Sequence, residues 1–191
     1  MMNQRLEILV EESSMEQFLN GLLPRILPEG FALNENCFVY PHEGKSDLQK
    51  RLPKRVRAYQ HYPNPVYLMV VQDQDSHNCL DLKHQQIKLI EQESVETRYI
   101  VRIACRELEN WFLGDLHTLE KLYPKSKATK YRHKAKFRNT DKVGGAHELQ
   151  KIIRTFSKLK LAREMGSEIR TQENSSVSFH HFQKGLQKLL S

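Results

Sequence analysis

Short apolar runs alternate with longer amphipathic stretches over the first 115 residues of the chain. Leu6-Glu7-Ile8-Leu9-Val10 is brief, partly β-branched and bounded by acids, which predicts a buried strand. Next, Ser13-Ser14-Met15-Glu16 has capping-box form. Met15, Phe18, Leu19, Leu22, Leu23, Ile26 and Leu27 then recur at helical spacing, predicting an amphipathic helix bent at Pro24 and ended by Pro28-Glu29-Gly30. A second strand is predicted over Cys37–Tyr40 and a basic helix from Asp47 to about Gln60. Pro63 and Pro65 then break the chain before Val66–Val71, an apolar run suited to a central strand covered on both faces. A helix over Cys79–Glu91, a strand over Tyr99–Ala104 and a short helix over Glu107–Leu113 complete the alternation. The order βαβαβαβα predicts a three-layer α/β sandwich with a mainly parallel four-stranded sheet over residues 1–115. Beyond Asp115 no strand pattern remains. Helical patterns over 115–123, 146–156, 157–169 and 178–190 predict a helical extension, residues 116–191, packed on that core.

Charge divides the chain more sharply than hydropathy does. The overall charge is +7, but residues 1–120 carry a net −5 and residues 121–191 a net +12. Nine basic residues and one acid, Asp141, lie between Lys121 and Lys142, interleaved with Tyr123, Tyr131 and Phe137. Basic residues mixed with aromatic ones are the footprint of a phosphate-backbone contact, so Lys130, Arg132, Lys134, Lys136 and Arg138 are candidate nucleic-acid contacts; the plainer reading is a solvated loop. Composition narrows the setting. The longest apolar run, Val66–Val71, is far short of the roughly 20 residues of a membrane span, and Glu7, Glu11 and Glu12 interrupt anything resembling a signal peptide. A cytoplasmic protein without membrane contact is therefore expected. Cys37, Cys79 and Cys105 stand singly and form neither a disulfide set nor a metal-ligand pair.

In doubly wound sheets the ligand crevice lies beyond the carboxyl ends of the strands. Those ends are acidic here: Glu11-Glu12 follows the first strand, Asp73-Gln74-Asp75 the third, and Glu107 and Glu109 the fourth. Each acid alone is equally a cap or a turn residue. Together, Glu11, Asp73 and Asp75 at adjacent strand ends suggest an oxygen cage for Mg²⁺ or Mn²⁺, since a divalent cation offsets the repulsion of crowded carboxylates. Two motifs lead nowhere. Gly44-Lys45-Ser46 resembles the end of a P-loop, but the first glycine of that motif would fall on Val39. The histidines lack an H-x-x-x-H or H-E-x-x-H spacing, which argues against a zinc hydrolase. Lys45 remains a candidate phosphate contact.

These residues carry a resemblance. Glu11 after a first strand and Asp73-x-Asp75 after a later apolar strand resemble the Toprim signature of topoisomerases, bacterial primases and the overcoming-lysogenization-defect nucleases. Five segments resemble, more specifically, a bacterial family of Toprim-like domains of unknown function, often associated with ATPases in mobile or defence gene clusters. They are Val10–Glu16, Gly44–Leu48, the Asp-x-Asp, Arg106–Asp115 and Asn174–Phe179. The chain departs from the Toprim pattern at Glu12, where glycine is usual, and at Gln74, where relatives often carry arginine.

The resemblance implies metal-dependent phosphodiester chemistry, with Glu11 as general acid/base or bridging ligand and Asp73 and Asp75 holding Mg²⁺. Leu108, Trp111 and Phe112 fall at core spacing, and Gly114-Asp115 reads as a helix stop followed by an N-cap. Packing leaves Glu107 and Glu109 unexplained. Glu107 is taken as a candidate second-metal ligand and Arg106 as a candidate phosphate contact or a structural partner of either acid. The expectation is thus a metal-dependent nuclease or nicking domain acting on nucleic acid, working with an ATPase partner. The rival is a non-catalytic module that docks nucleic acid or an ATPase.

Overall fold

The computed structural model describes residues 4–94 and 96–191. Four strands, β1 (Arg5–Val10), β2 (Cys37–Pro41), β3 (Val66–Asp73) and β4 (Arg98–Ala104), form one sheet in the order β2-β1-β3-β4, parallel throughout. Three helices connect them: α1 (Ser13–Ile26), α2 (Lys45–Tyr59) and α3 (Cys79–Glu91). The three-layer sandwich expected from the alternation is present, and its parallel sheet is consistent with a Toprim-like architecture.

Alternation along the strands explains the layers. Leu6, Ile8 and Val10 of β1, with Tyr67, Met69 and Val71 of β3, join one apolar cluster; Leu9, Val66, Leu68 and Val70 join the other. The second cluster is closed by Leu48, Leu52 and Val56 of α2 and by Leu82 and Ile90 of α3. The first takes α1 together with α4 (Leu108–Leu113), α5 (Leu116–Leu122), α6 (Gly145–Ile152), α7 (Lys158–Glu168) and α8 (Val177–Leu190), so it draws on both sides of residue 115. Buried side chains in parallel strands face helices on both sides, which is why β3 is buried at every position.

The carboxy-terminal part is keyed into the core by close contacts. α1 lies along α7, where a Cβ on Gly166 would sit 2.1 Å from the Phe18 carbonyl oxygen, so only glycine permits that approach. Trp111 packs against Phe179 and Phe182, ring centroids 5.4 and 5.2 Å apart, and its indole N–H donates to Ser178 Oγ at 2.8 Å. Asp141 accepts from Ser176 Oγ (2.6 Å) and from the Ser178 backbone N–H (2.7 Å), while Asn174 donates to the Trp111 carbonyl at 2.9 Å. The Arg106–Asp115 and Asn174–Phe179 strings are therefore largely two halves of one structural joint.

One expectation needs correction. α1 begins at Ser13, so both serines lie inside its first turn; Glu12 is the N-cap, and its carboxylate accepts from Ser14 Oγ at 2.5 Å instead of closing a serine capping box. Gly114 does stop α4, as its C-cap, with ordinary helical dihedrals; a Cβ there would collide with Asn174 Oδ1, 1.9 Å away. The basic stretch, over which no α-helix is predicted, forms successive 3-10 turns within residues 124–142, which suits a sequence without a 3.6-residue apolar period. Asp115 does cap α5, accepting from the Thr118 N–H at 3.1 Å.

Candidate functional site

The chain leaves β1 toward β2 on one side and reaches β3 on the other, so the carboxyl ends of β1 and β3 form the switch point of the sheet, where crevices open in this class of fold. Val10 pairs with Val71 in register. Glu11 therefore stands one step beyond the ladder beside the end of β3, and its Oε2 accepts from the Asp73 backbone N–H at 3.1 Å. Asp73 is the last residue of β3, pairs with Ala104 of β4 and is 9% exposed.

Burial decides the electrostatics of this end. Desolvation, joined by the charges of Glu109, Glu11 and Glu12, holds the Asp73 carboxyl well above the usual carboxylate range, against one backbone hydrogen bond from Leu108. Its Oδ1 is buried and has no hydrogen-bond partner. Burial likewise raises Glu11, opposed by Lys45, and raises Glu109, opposed by Lys158. Two lysines enter the crevice from opposite sides. Lys45, at the start of α2, forms an ion pair with Asp75. Lys158, at the start of α7, lies 2.6 Å from Glu12 and 3.8 Å from Glu109.

The aspartates of Asp-x-Asp are thus unlike one another. Asp73 is buried among acids, whereas Asp75 is exposed, sits at φ 52° and is held by Lys45. Asp75 and Arg106, at φ 66°, brace each other: the Asp75 N–H donates to the Arg106 carbonyl at 2.7 Å, and the Arg106 N–H donates to Gln74 Oε1 at 3.1 Å. Two non-glycine residues in left-handed geometry at one sheet edge are the kind of backbone strain that clusters at functional sites. The Arg106 side chain is exposed.

Glu107 does not turn toward Asp73. Its Oε2 accepts from the Ala146 N–H at 2.6 Å, so it anchors the first turn of α6. Glu109, in a short helix buried at every position, is the acid of this segment whose charge bears on Asp73, alongside Glu11 and Glu12. Sequence reasoning left Glu109 and Lys158 unassigned; an acid amid the apolar run Leu108–Leu113 was the signal for the first, and nothing local marks the second. The donors suit a hard divalent cation, and the orphaned Asp73 Oδ1 is an acceptor still lacking a partner. As the side chains stand, no three His, Cys, Asp or Glu among the described residues gather closely enough to hold a metal ion.

The basic segment lies on the 3-10 turns. Lys136 pairs with Glu148 at 2.5 Å and Lys134 stands 4.3 Å over the Tyr131 ring, while Lys130, Arg132 and Arg138 are exposed. No helix among the described residues is long and apolar enough to cross a membrane.

The molecule is therefore an α/β sandwich with a parallel sheet and an acidic, lysine-flanked crevice at its switch point. Residues 10–190 match the family model described as Domain of unknown function (DUF4276), and the chain belongs to that family. No curated protein and no solved structure matches it significantly.

Proposed function

We propose that the chain is a metal-dependent phosphodiesterase acting on nucleic acid, with the switch-point crevice as its cation site and the basic carboxy-terminal part as the surface that holds the strand. The observation that carries this reading is Asp73: a buried carboxylate whose Oδ1 has no partner and whose near neighbours are other acids. Such a group is costly unless a cation completes it. Glu11 and Asp73 would hold the ion, with Asp75 and Glu109 within the same electrostatic neighbourhood. A bound Mg²⁺ or Mn²⁺ supplies an activated water and a counter-charge for the phosphoryl oxygens. The chain's own residues do the rest. Glu11, raised by burial, is suited to accept and return a proton, and its position is fixed by the Asp73 N–H. Lys45 and Lys158 are cations already at the crevice, able to exchange a carboxylate for a phosphate. Control by an ATPase partner, implied by the resemblance, belongs to the same proposal.

One observation favours the rival reading of a non-catalytic docking module. The Lys45–Asp75 and Lys158–Glu12 pairs already neutralise part of the crevice without a metal. Thermal unfolding in EDTA and with added Mn²⁺ or Mg²⁺ separates the two readings. A resident site raises Tm with cation, by an amount equivalent to about 2.7 kcal/mol at a hundred-fold excess over Kd. The rise must vanish in Asp73→Asn, together with cleavage of a labelled oligonucleotide. An unchanged Tm and no cleavage, with and without the ATPase partner and ATP, would leave the docking module.

A further inference from the structure

A cavity of about 730 Å³ opens between the end of α5, the first 3-10 turns and the end of α6. Its lining differs in kind from the acidic crevice. Lys125 and Arg154 stand at its wall with the rings of Tyr123 and Tyr131 and with Lys151, which pairs with Glu148 at 3.0 Å; none of its lining residues is an acid, although the Tyr123 hydroxyl donates to Glu164 at 3.1 Å. Ile152 and Ile153, both nearly fully buried, give it an apolar floor. Ser126 lines it too, and its Oγ is a buried hydroxyl without a hydrogen-bond partner. A larger cavity, of about 820 Å³ near the amino ends of the strands, carries Glu91, Glu93 and Glu96 and is unsuited to phosphate.

Cations for a phosphate, aromatic rings and an apolar floor for a base, and an unspent hydroxyl form a set of complementary groups for one nucleotide. Position adds to composition. Thr155 lines the cavity, and Lys158, three residues on, reaches Glu12 in the crevice; three residues span at most about 10 Å. A duplex offers its phosphates on a convex surface and keeps its bases stacked, so it cannot fill a concave, ring-lined cavity.

We propose that this cavity takes one unpaired nucleotide of a strand whose neighbouring phosphates run to the acidic crevice, which makes single-stranded nucleic acid the substrate class. The inference rests on the phosphodiesterase reading but is tested apart from it. Binding is measured in EDTA, where cleavage is off, by fluorescence anisotropy with a short labelled single-stranded DNA, the RNA of the same sequence and the blunt DNA duplex. Single strands are expected to bind at least ten-fold more tightly than the duplex, and the DNA and RNA arms report which sugar is preferred. Thr155→Trp fills the cavity without changing charge and should weaken single-strand binding about ten-fold, with duplex binding changed by less than about two-fold. Arg154→Glu should weaken it at least as much, and carries the test if circular dichroism shows the tryptophan variant unfolded. Equal affinity for single strand and duplex, or full single-strand affinity in the folded variants, overturns the inference. Cation-dependent Tm and cleavage of the wild-type chain report on the crevice independently, so a failed cavity and a failed phosphodiesterase reading give different results.

Discussion

Two carboxylates on neighbouring strands, Glu7 of β1 and Asp73 of β3, are buried to nearly the same degree and could hardly be more differently provided for. Glu7 is fully buried. One of its oxygens accepts from Arg5 Nε at 2.6 Å; the other accepts from the Tyr59 hydroxyl at 2.8 Å and lies 3.5 Å from the Arg55 guanidinium. The partners are protein groups, and the account closes within the fold. Asp73 has one backbone donor, an orphaned oxygen, and a surround of like charge. Burial alone therefore does not separate an acid satisfied by the fold from one the fold leaves unpaired; the inventory of partners does.

That contrast can be broken by mutation. Glu7→Leu should cost about 3 kcal/mol, read as a lower urea midpoint, because it strands the Tyr59 hydroxyl and two guanidinium groups, of which Arg5 and Arg55 retain some solvent. Cleavage by the folded fraction should be unchanged; lost cleavage at full stability would move Glu7 into the class of Asp73. Asp73→Asn should act in the opposite direction, raising stability in EDTA at neutral pH by about 1–3 kcal/mol, because burial and the neighbouring acids make the Asp73 carboxyl costly to ionise and an amide does not carry that cost. A destabilised Asp73→Asn protein would mean that the carboxylate is satisfied by the fold after all.

Asp115 sharpens the comparison through pH. It is fully buried, and although burial opposes ionisation, the Arg170 guanidinium at 2.7 Å and the Thr118 hydroxyl at 2.6 Å hold its carboxyl below the usual carboxylate range. A depressed folded-state pKa contributes stability that is present above the unfolded value, about 3.9, and is lost as pH falls through the folded value. Asp115→Asn should therefore cost about 1–2 kcal/mol at pH 7, and the gap from wild type should narrow below about pH 4 in parallel urea titrations. A gap that stays constant down to the acid limit would assign the loss to packing. The smallest effect is expected at Lys158, whose side chain is half exposed: Lys158→Met should lose up to about 1 kcal/mol in EDTA, through Glu12 and Glu109, and regain it with Mg²⁺. Absence of that recovery would separate Lys158 from the proposed cation site.

Much of this was legible in one dimension. The helix read from the sequence as running from about Cys79 to Glu91 is α3, Cys79–Glu91; the structure adds that the Asn78 side chain caps its start. β3 was read as ending at Val71, where apolarity ends. The ladder to β4 continues through Gln72 and Asp73, since backbone pairing does not depend on side-chain polarity. Those two extra residues turn Asp73 from a crevice loop residue into a buried one.

The sequence by itself determined which face of each strand and helix is apolar, and hence the layers, the parallel sheet and the row of acids beyond its carboxyl ends. These follow from local periodicity and from the short reach of βα connections. Tertiary structure alone decided that the charge of Glu109, not that of Glu107, bears on Asp73, that Lys158 meets Glu12 across 146 residues of chain, and that Tyr123 and Tyr131 share a cavity with Arg154. Partnership and desolvation belong to groups brought together from distant parts of the chain. A carboxylate carries no mark in sequence of the dielectric or the neighbours it will meet.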